Sequence, residues 1–106
     1  MSESGRIVIA CYKPKPGKEK KLTELMKTHV EILRMEGLAT FRPPIIMKAK
    51  SRTIIEVFEW KSIDAIQIAH SNRAIQQMWE KYSEVCTYQI TVNIEEFYNL
   101  FSEFES

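Results

Sequence analysis

The apolar positions of the chain switch between two spacings, and the switches mark its elements. Residues 6–13, "RIVIACYK", are an apolar run rich in β-branched side chains, stopped by "PKPG". The run reads as a strand that is apolar on both faces, with Ile7, Ile9 and Cys11 on one and Val8, Ala10 and Tyr12 on the other. From Lys18 to Glu36 the spacing lengthens. Leu22, Leu25, Met26, Val30 and Leu33 form a helical stripe with charges opposite, and Gly37 supplies the stop. His29 falls near the middle of that stripe.

"FRPPIIMKAK" predicts a loop held by Pro43 and Pro44, then a strand from about Ile45 to Lys50. Ser51 and Arg52 make a short turn into "TIIEVFEW", so the two strands form a hairpin. Ser62 is placed to cap the next helix, with Asp64 in its first turn, where the helix dipole favours negative charge. Ile63, Ile66 and His70 share helical spacing, which puts His70 on an apolar stripe. "HSN" is a break, with Asn72 restarting a second helical piece that carries Ile75, Met78, Trp79, Tyr82 and Cys86 along one side. "TYQITV" alternates as a last strand. "NIEEFYNLF" suggests a short terminal helix, and "SEFES" an extended end.

The order β-α-β-β-α-β is the ferredoxin-like α+β arrangement, in which helices cover one face of an antiparallel sheet. A sheet open to water on its other face alternates apolar with polar residues. The first strand does not, and the third puts Ile55 and Val57 on one face and Ile54, Phe58 and Trp60 on the other. Both faces need cover, and the helices of one chain form a single layer. The simplest second layer is another copy of the sheet, so the expected assembly is a homodimer with sheets facing each other.

With 106 residues the chain is one domain, its core spanning about 6–92 and a tail 93–106. Such a chain buries roughly 65% of its unfolded surface and needs no metal or disulfide to fold. Fifteen Lys and Arg against fourteen Asp and Glu give no footprint for nucleic acid or for an anionic membrane. Lys13, Lys15, Lys18, Lys20 and Lys21 cluster locally; this reads as a solvated helix start, with an anion site as the alternative. No apolar run is of membrane-spanning length and no signal core precedes the first strand, which predicts a cytoplasmic protein. Cys11 and Cys86 then read as buried thiols. No Gly-rich phosphate loop, metal-ligand spacing or G-x-S-x-G elbow appears, and no cofactor is implied.

The stretch "IIEVFEWKS" followed by "AHSNRAIQQMWEKYSEVC" resembles the dimeric α/β barrel superfamily, and within it the antibiotic-biosynthesis monooxygenase-like domains, over roughly residues 6–92. Members often carry a strand ending in Trp, a Ser-capped helix, an Ala-His pair and a second helical piece. The resemblance implies a dimeric barrel and, from some relatives, cofactor-free oxidation of phenolic compounds. A haem-degrading branch uses an Asn at the end of strand one; here that position reads Cys11-Tyr12-Lys13, so haem degradation is the less favoured reading.

Several side chains are candidates for chemistry, each beside a plainer role. Glu56 shares a strand face with Ile54, Phe58 and Trp60, where a carboxylate is costly unless paired or hydrated. It is either a base facing a polar pocket or the partner of Lys48 or Lys50 across the hairpin. His70 and His29 suit proton transfer near neutral pH, but a buried imidazole with its hydrogen bonds satisfied is the commoner case. Trp60, Trp79, Tyr12 and Tyr82 are pocket walls or core; Tyr12 is the candidate donor to a substrate carbonyl. Cys11 lacks a fixed basic neighbour and is a poor nucleophile. The first functional expectation is an oxygenase-like or isomerase-like enzyme acting on a small aromatic or enolisable compound between sheet and helices, with His70 or Glu56 as base. The second is a non-catalytic dimeric module that binds a small ligand or a partner.

Overall fold

The computed structural model describes residues 4–106. Four strands, β1 (Arg6–Pro14), β2 (Ile45–Lys48), β3 (Ile54–Trp60) and β4 (Cys86–Gln89), form one antiparallel sheet in the order β2-β3-β1-β4. Helices α1 (Glu19–Met26) and α2 (His29–Met35) connect β1 to β2, and α3 (Ile63–Ser71) and α4 (Arg73–Val85) connect β3 to β4. The fold is ferredoxin-like α+β, as the order of elements predicts.

Local chemistry sets where the elements end. Gly37 takes φ +75°, and the Leu38 N–H closes back onto the Leu33 carbonyl at 2.9 Å, a left-handed helix stop that favours glycine. The Ser62 hydroxyl accepts from the Ala65 N–H at 3.1 Å to start α3, and the Asn72 side chain accepts from the Ile75 N–H at 3.0 Å to start α4. The break at Asn72 is where the sequence places it. Between β2 and β3 the Arg52 N–H bonds to the Ala49 carbonyl at 3.0 Å and Arg52 itself sits at φ +76°. That is a three-residue hairpin loop whose last residue is left-handed.

Two expectations need correction. The single helix over Lys18 to Glu36 is two, because Thr28 leaves the helical region at φ −115°, ψ 1°. The Lys27 and Thr28 N–H groups make long 3.3 Å bonds to carbonyls only three residues back. His29 therefore opens a helix instead of sitting at the centre of one. The last strand stops at Gln89, and the expected terminal helix is two short 3-10 turns, Thr91–Asn93 and Glu95–Tyr98.

The main core lies between sheet and helices, where Tyr12, Phe58 and Trp60 meet Leu22, Leu33 and Ile75. A second, smaller cluster lies on the opposite face. There Ile94, Phe97 and Phe104 of the C-terminal segment pack over Cys11, Ala49 and Ile55. Glu105 clamps the end of the chain to the β2 edge, exchanging backbone bonds with Lys48 at 2.7 and 3.0 Å. The chain thus covers half of its outer sheet face with its own tail. The other half stays open, with Ile7, Ile9 and Ile45 exposed by 58%, 51% and 60%. Among the described residues no helix is long and apolar enough to cross a membrane.

Candidate active site

Glu56 lies near the middle of β3, facing Ala10 of β1 on one side and Ile46 of β2 on the other. Strand alternation sends its side chain to the helix side with Ile54 and Phe58, as the sequence predicts, and its exposure is 0%. A carboxylate in that position needs donors. Tyr12, two residues beyond Ala10 on the same face of β1, donates its hydroxyl to Glu56 Oε1 at 3.0 Å. His29, 4% exposed at the start of α2, places Nδ1 2.8 Å from the same oxygen. That contact is close but lacks the alignment of a hydrogen bond. Among the described residues Glu56 Oε2 and His29 Nδ1 are buried with no hydrogen-bond partner.

The expected pairing of Glu56 with Lys48 or Lys50 does not occur. Lys48 stands opposite Ile54, one step along the ladder, and Lys50 lies in the turn, where its backbone N–H donates to the Glu96 carboxylate at 2.7 Å. Tyr12 and His29 take the place of the lysines.

Aromatic rings close the cluster. The His29 ring meets Phe58 edge-on at 5.3 Å and Tyr82 at 5.4 Å between centroids, and Tyr82 in turn lies 5.5 Å from Tyr12. Burial pushes the phenols of Tyr12 and Tyr82 far above their ordinary range, with the nearby Glu56 charge adding to the effect at both. Tyr12 is therefore a proton donor in a hydrogen bond, not a phenolate. Because these folded-state values are raised, the stability they contribute is fully present below about pH 10 and is lost as pH rises above the unfolded tyrosine value. Absorbance at 295 nm is expected to show Tyr12 and Tyr82 ionising only together with alkaline unfolding, and Tyr12→Phe to remove one of those coupled ionisations.

The other candidates scatter. His70 is exposed on α3, its ring 5.2 Å from Trp79 and its carbonyl accepting from Gln76 Nε2 at 2.7 Å. The inward face of α3 is Ala65 and Ala69, while Ile63 and Ile68 are exposed. Small side chains let α3 approach the sheet; of the stripe that would carry His70 inward only Ile66 is partly buried, and His70 faces solvent. Trp60 is buried against Phe58 at 5.5 Å and is core, not a pocket wall at the sheet rim. Trp79 packs half-buried at the margin, and Tyr82 is core beside His29, its hydroxyl 3.6 Å from Met26 Sδ. Burial pushes the Cys11 and Cys86 thiols up, which leaves both poor nucleophiles.

The structure therefore brings together Tyr12, His29, Glu56 and Tyr82, and excludes His70. The sequence places Tyr12 and Glu56 each on a face of its own strand, but their pairing follows from the β1–β3 register, which sets Ala10 opposite Glu56. The break that turns His29 toward them has only one local signal, the run Thr28-His29-Val30 of weaker helix formers. Chemically the cluster offers a phenol donor, an imidazole, and a carboxylate oxygen free to accept a proton, which are the parts of an acid–base site. Among the described residues no group of three His, Cys, Asp or Glu side chains is placed to hold a metal. A cavity of about 560 Å³ opens between α1 and the β2–β3 hairpin. It reaches Ile54, which faces Tyr12 across the ladder and is the next residue on the Glu56 face.

No family model matches the chain, and no curated protein matches it. Solved structures do. A conserved protein from Methanosarcina mazei Go1 superposes with a TM-score of 0.64 at 16% identity, covering 81% of this chain and 87% of that one. Protein SO0527 from Shewanella oneidensis gives 0.63 at 16% identity, with 82% and 86% covered. Rv0793 from Mycobacterium tuberculosis gives 0.62 at 18% identity, with 79% and 85% covered. At these identities the likeness is one of fold.

Proposed function

We propose that the chain is a cofactor-independent, monooxygenase-like enzyme of the antibiotic-biosynthesis monooxygenase-like group, acting as a homodimer on a small aromatic or enolisable compound. The observation that carries the reading is the buried pair of unpartnered polar atoms, Glu56 Oε2 and His29 Nδ1, beside a phenol held as a donor. Leaving a buried polar atom unsatisfied costs about 1–3 kcal/mol. A cost of this kind at one buried cluster supports reading it as a working site. Two free, buried cysteines accord with a reducing, cytoplasmic setting.

In this reading Glu56, backed by His29, removes a proton from a CH2 group next to a carbonyl, and the Tyr12 hydroxyl stabilises the resulting enolate oxygen. The carbanion delivers electrons to O2, and a carbon–oxygen bond forms. Loss of the second C–H proton then breaks the O–O bond and releases water. The substrate supplies all four electrons, so no other reductant is required.

Oxygen uptake with a panel of anthrones and 1,3-diketones tests it. One O2 consumed per ketone formed is expected, falling about 100-fold or more in Glu56→Gln and less in Tyr12→Phe. Full turnover by the Glu56→Gln, His29→Gln double variant would sink the assignment. A second reading, a dimeric binding module without turnover, is favoured by one feature: the cavity ends at Ile54 and does not include the cluster. On that reading no member of the panel is consumed, and the Glu56 variants differ from wild type in stability alone.

A further inference from the structure

The basic residues near the start of α1 have no role in the acid–base cluster. They converge at one end of the sheet. The 560 Å³ cavity is bordered by Lys20, Lys48, Lys50 and Arg52, and an adjoining open hollow of about 430 Å³ by Lys13, Lys15, Lys20 and Arg52. Two segments remote in sequence, the β1–α1 connection and the β2–β3 hairpin, thus present their cations to the same space.

The charges there are unevenly matched. Among the described residues Arg52 pairs with Glu19, its guanidinium 3.0 and 3.3 Å from the two carboxylate oxygens. Glu24, on the same wall, pairs with Lys27 at 3.3 Å. Lys13, Lys20, Lys48 and Lys50 have no carboxylate within ion-pair distance among the described residues. Over both hollows Lys13, Lys15, Lys20, Lys48, Lys50 and Arg52 stand against Glu19, Glu24 and Glu105, which leaves the rim net positive. The cavity volume is that of a small-molecule site, within the usual range of roughly 300–1,000 Å³. Its apolar wall is Ile54, next to Glu56 on the strand face.

We propose that this cleft binds the carboxylate of the substrate, an aromatic or enolisable acid, between Arg52 of the hairpin and the ammonium groups of Lys48, Lys50 and Lys20, with its apolar end against Ile54. The proposal rests on the acid–base reading for what happens after binding, but the binding itself is separately measurable. Glu19 competes with the ligand for the Arg52 guanidinium, which makes the empty cleft self-neutralising. Charge sets orientation: the carboxylate stays at the cationic mouth and the ring points toward the cluster.

The test is an amide chemical-shift titration of the whole chain with 2-naphthoate, neutral 2-naphthol and inorganic phosphate. The expected result is that 2-naphthoate shifts Thr23, Lys48, Arg52 and Ile54, at least fivefold more tightly than either 2-naphthol or phosphate, and more weakly at high salt. Lys48→Gln and Arg52→Gly are each expected to lower that affinity about fivefold or more, and Glu19→Gln to raise it. Arg52→Gly suits the left-handed turn, so loss of binding in it is not loss of fold. Equal binding of 2-naphthol overturns the carboxylate, equal binding of phosphate overturns the aromatic ligand, and unchanged affinity in both variants overturns the site. Oxygen uptake by wild type against Glu56→Gln reports on the catalytic reading alone, so either proposal fails without the other.

Discussion

Glu56→Ala is expected to lower the free energy of unfolding by about 3–5 kcal/mol, a large part of the roughly 5–15 kcal/mol that holds a domain of this size together. The side chain is fully buried in the middle of a central strand, and its removal does three things at once. It opens a void in the core, takes the acceptor from the Tyr12 hydroxyl, and strips the His29 nitrogen of the carboxylate beside it. Glu56→Gln keeps the volume and an oxygen for Tyr12, so its cost should be nearer 1–2 kcal/mol. The informative variant replaces the whole cluster. Tyr12→Phe, His29→Leu and Glu56→Leu together leave no buried polar group in want of a partner, and such replacements are often neutral or stabilising. Urea unfolding should therefore show the triple variant recovering most of what Glu56→Ala loses, while oxygen uptake stays abolished. That combination separates a cluster retained for chemistry from one retained for folding. If the triple variant is as unstable as Glu56→Ala, the polar network is itself a structural element, and the binding-module reading gains.

What the sequence shows and hides divides along physical lines. The strand phase of β3 is legible because alternation is strict, and it places Glu56 inward beside Ile54 and Phe58. The caps at Ser62 and Asn72 and the stop at Gly37 are legible because each rests on one side chain acting on its own neighbours. His70 misleads because a helix can bury either a broad apolar stripe or a narrow row of alanines. Which it buries depends on how close the sheet lies, a tertiary quantity. His29 is hidden for a related reason. An unbroken hydrophobic stripe continues past Thr28, and the break shows only in the backbone there, at φ −115° and ψ 1°. The carboxylate's partners were misassigned because pairing across a hairpin is local, whereas Tyr12 and His29 reach Glu56 from positions 44 and 27 residues away. The tail is the least legible element. Its apolar residues are irregularly spaced, and their partners lie on strands already complete without them.

Glutamate in place of Ile9, and separately serine in place of both Leu100 and Phe101, are expected to dissociate the proposed homodimer into monomers. The half of the outer sheet face left uncovered by the tail exposes Ile7, Ile9 and Ile45. Three side chains fall short of the roughly 800 Å² per partner of a stable interface. Leu100 and Phe101, exposed by 92% and 83%, lie in the tail between Phe97 and Phe104, which both pack on this face. With the exposed Tyr98 they offer the further apolar surface that the open strands lack. A two-fold dimer uses each residue twice, so one substitution removes two contacts or sets two like charges near the axis. Each anchor lost at the centre of such a patch weakens association by about 2 kcal/mol or more, which for a paired loss is several hundredfold. Neither substitution touches the core of the protomer, since all three side chains are exposed, so the far-ultraviolet spectrum should not change. Light scattering across a concentration series reads the outcome. Dissociation by Ile9→Glu alone would place the interface on the sheet without the tail, dissociation by the tail pair alone would move it off the sheet, and a monomeric wild type at high concentration would remove the homodimer from the account. Dissociation by both is the result the exposed surface predicts, because neither the open strands nor the tail is large enough to hold two copies together by itself.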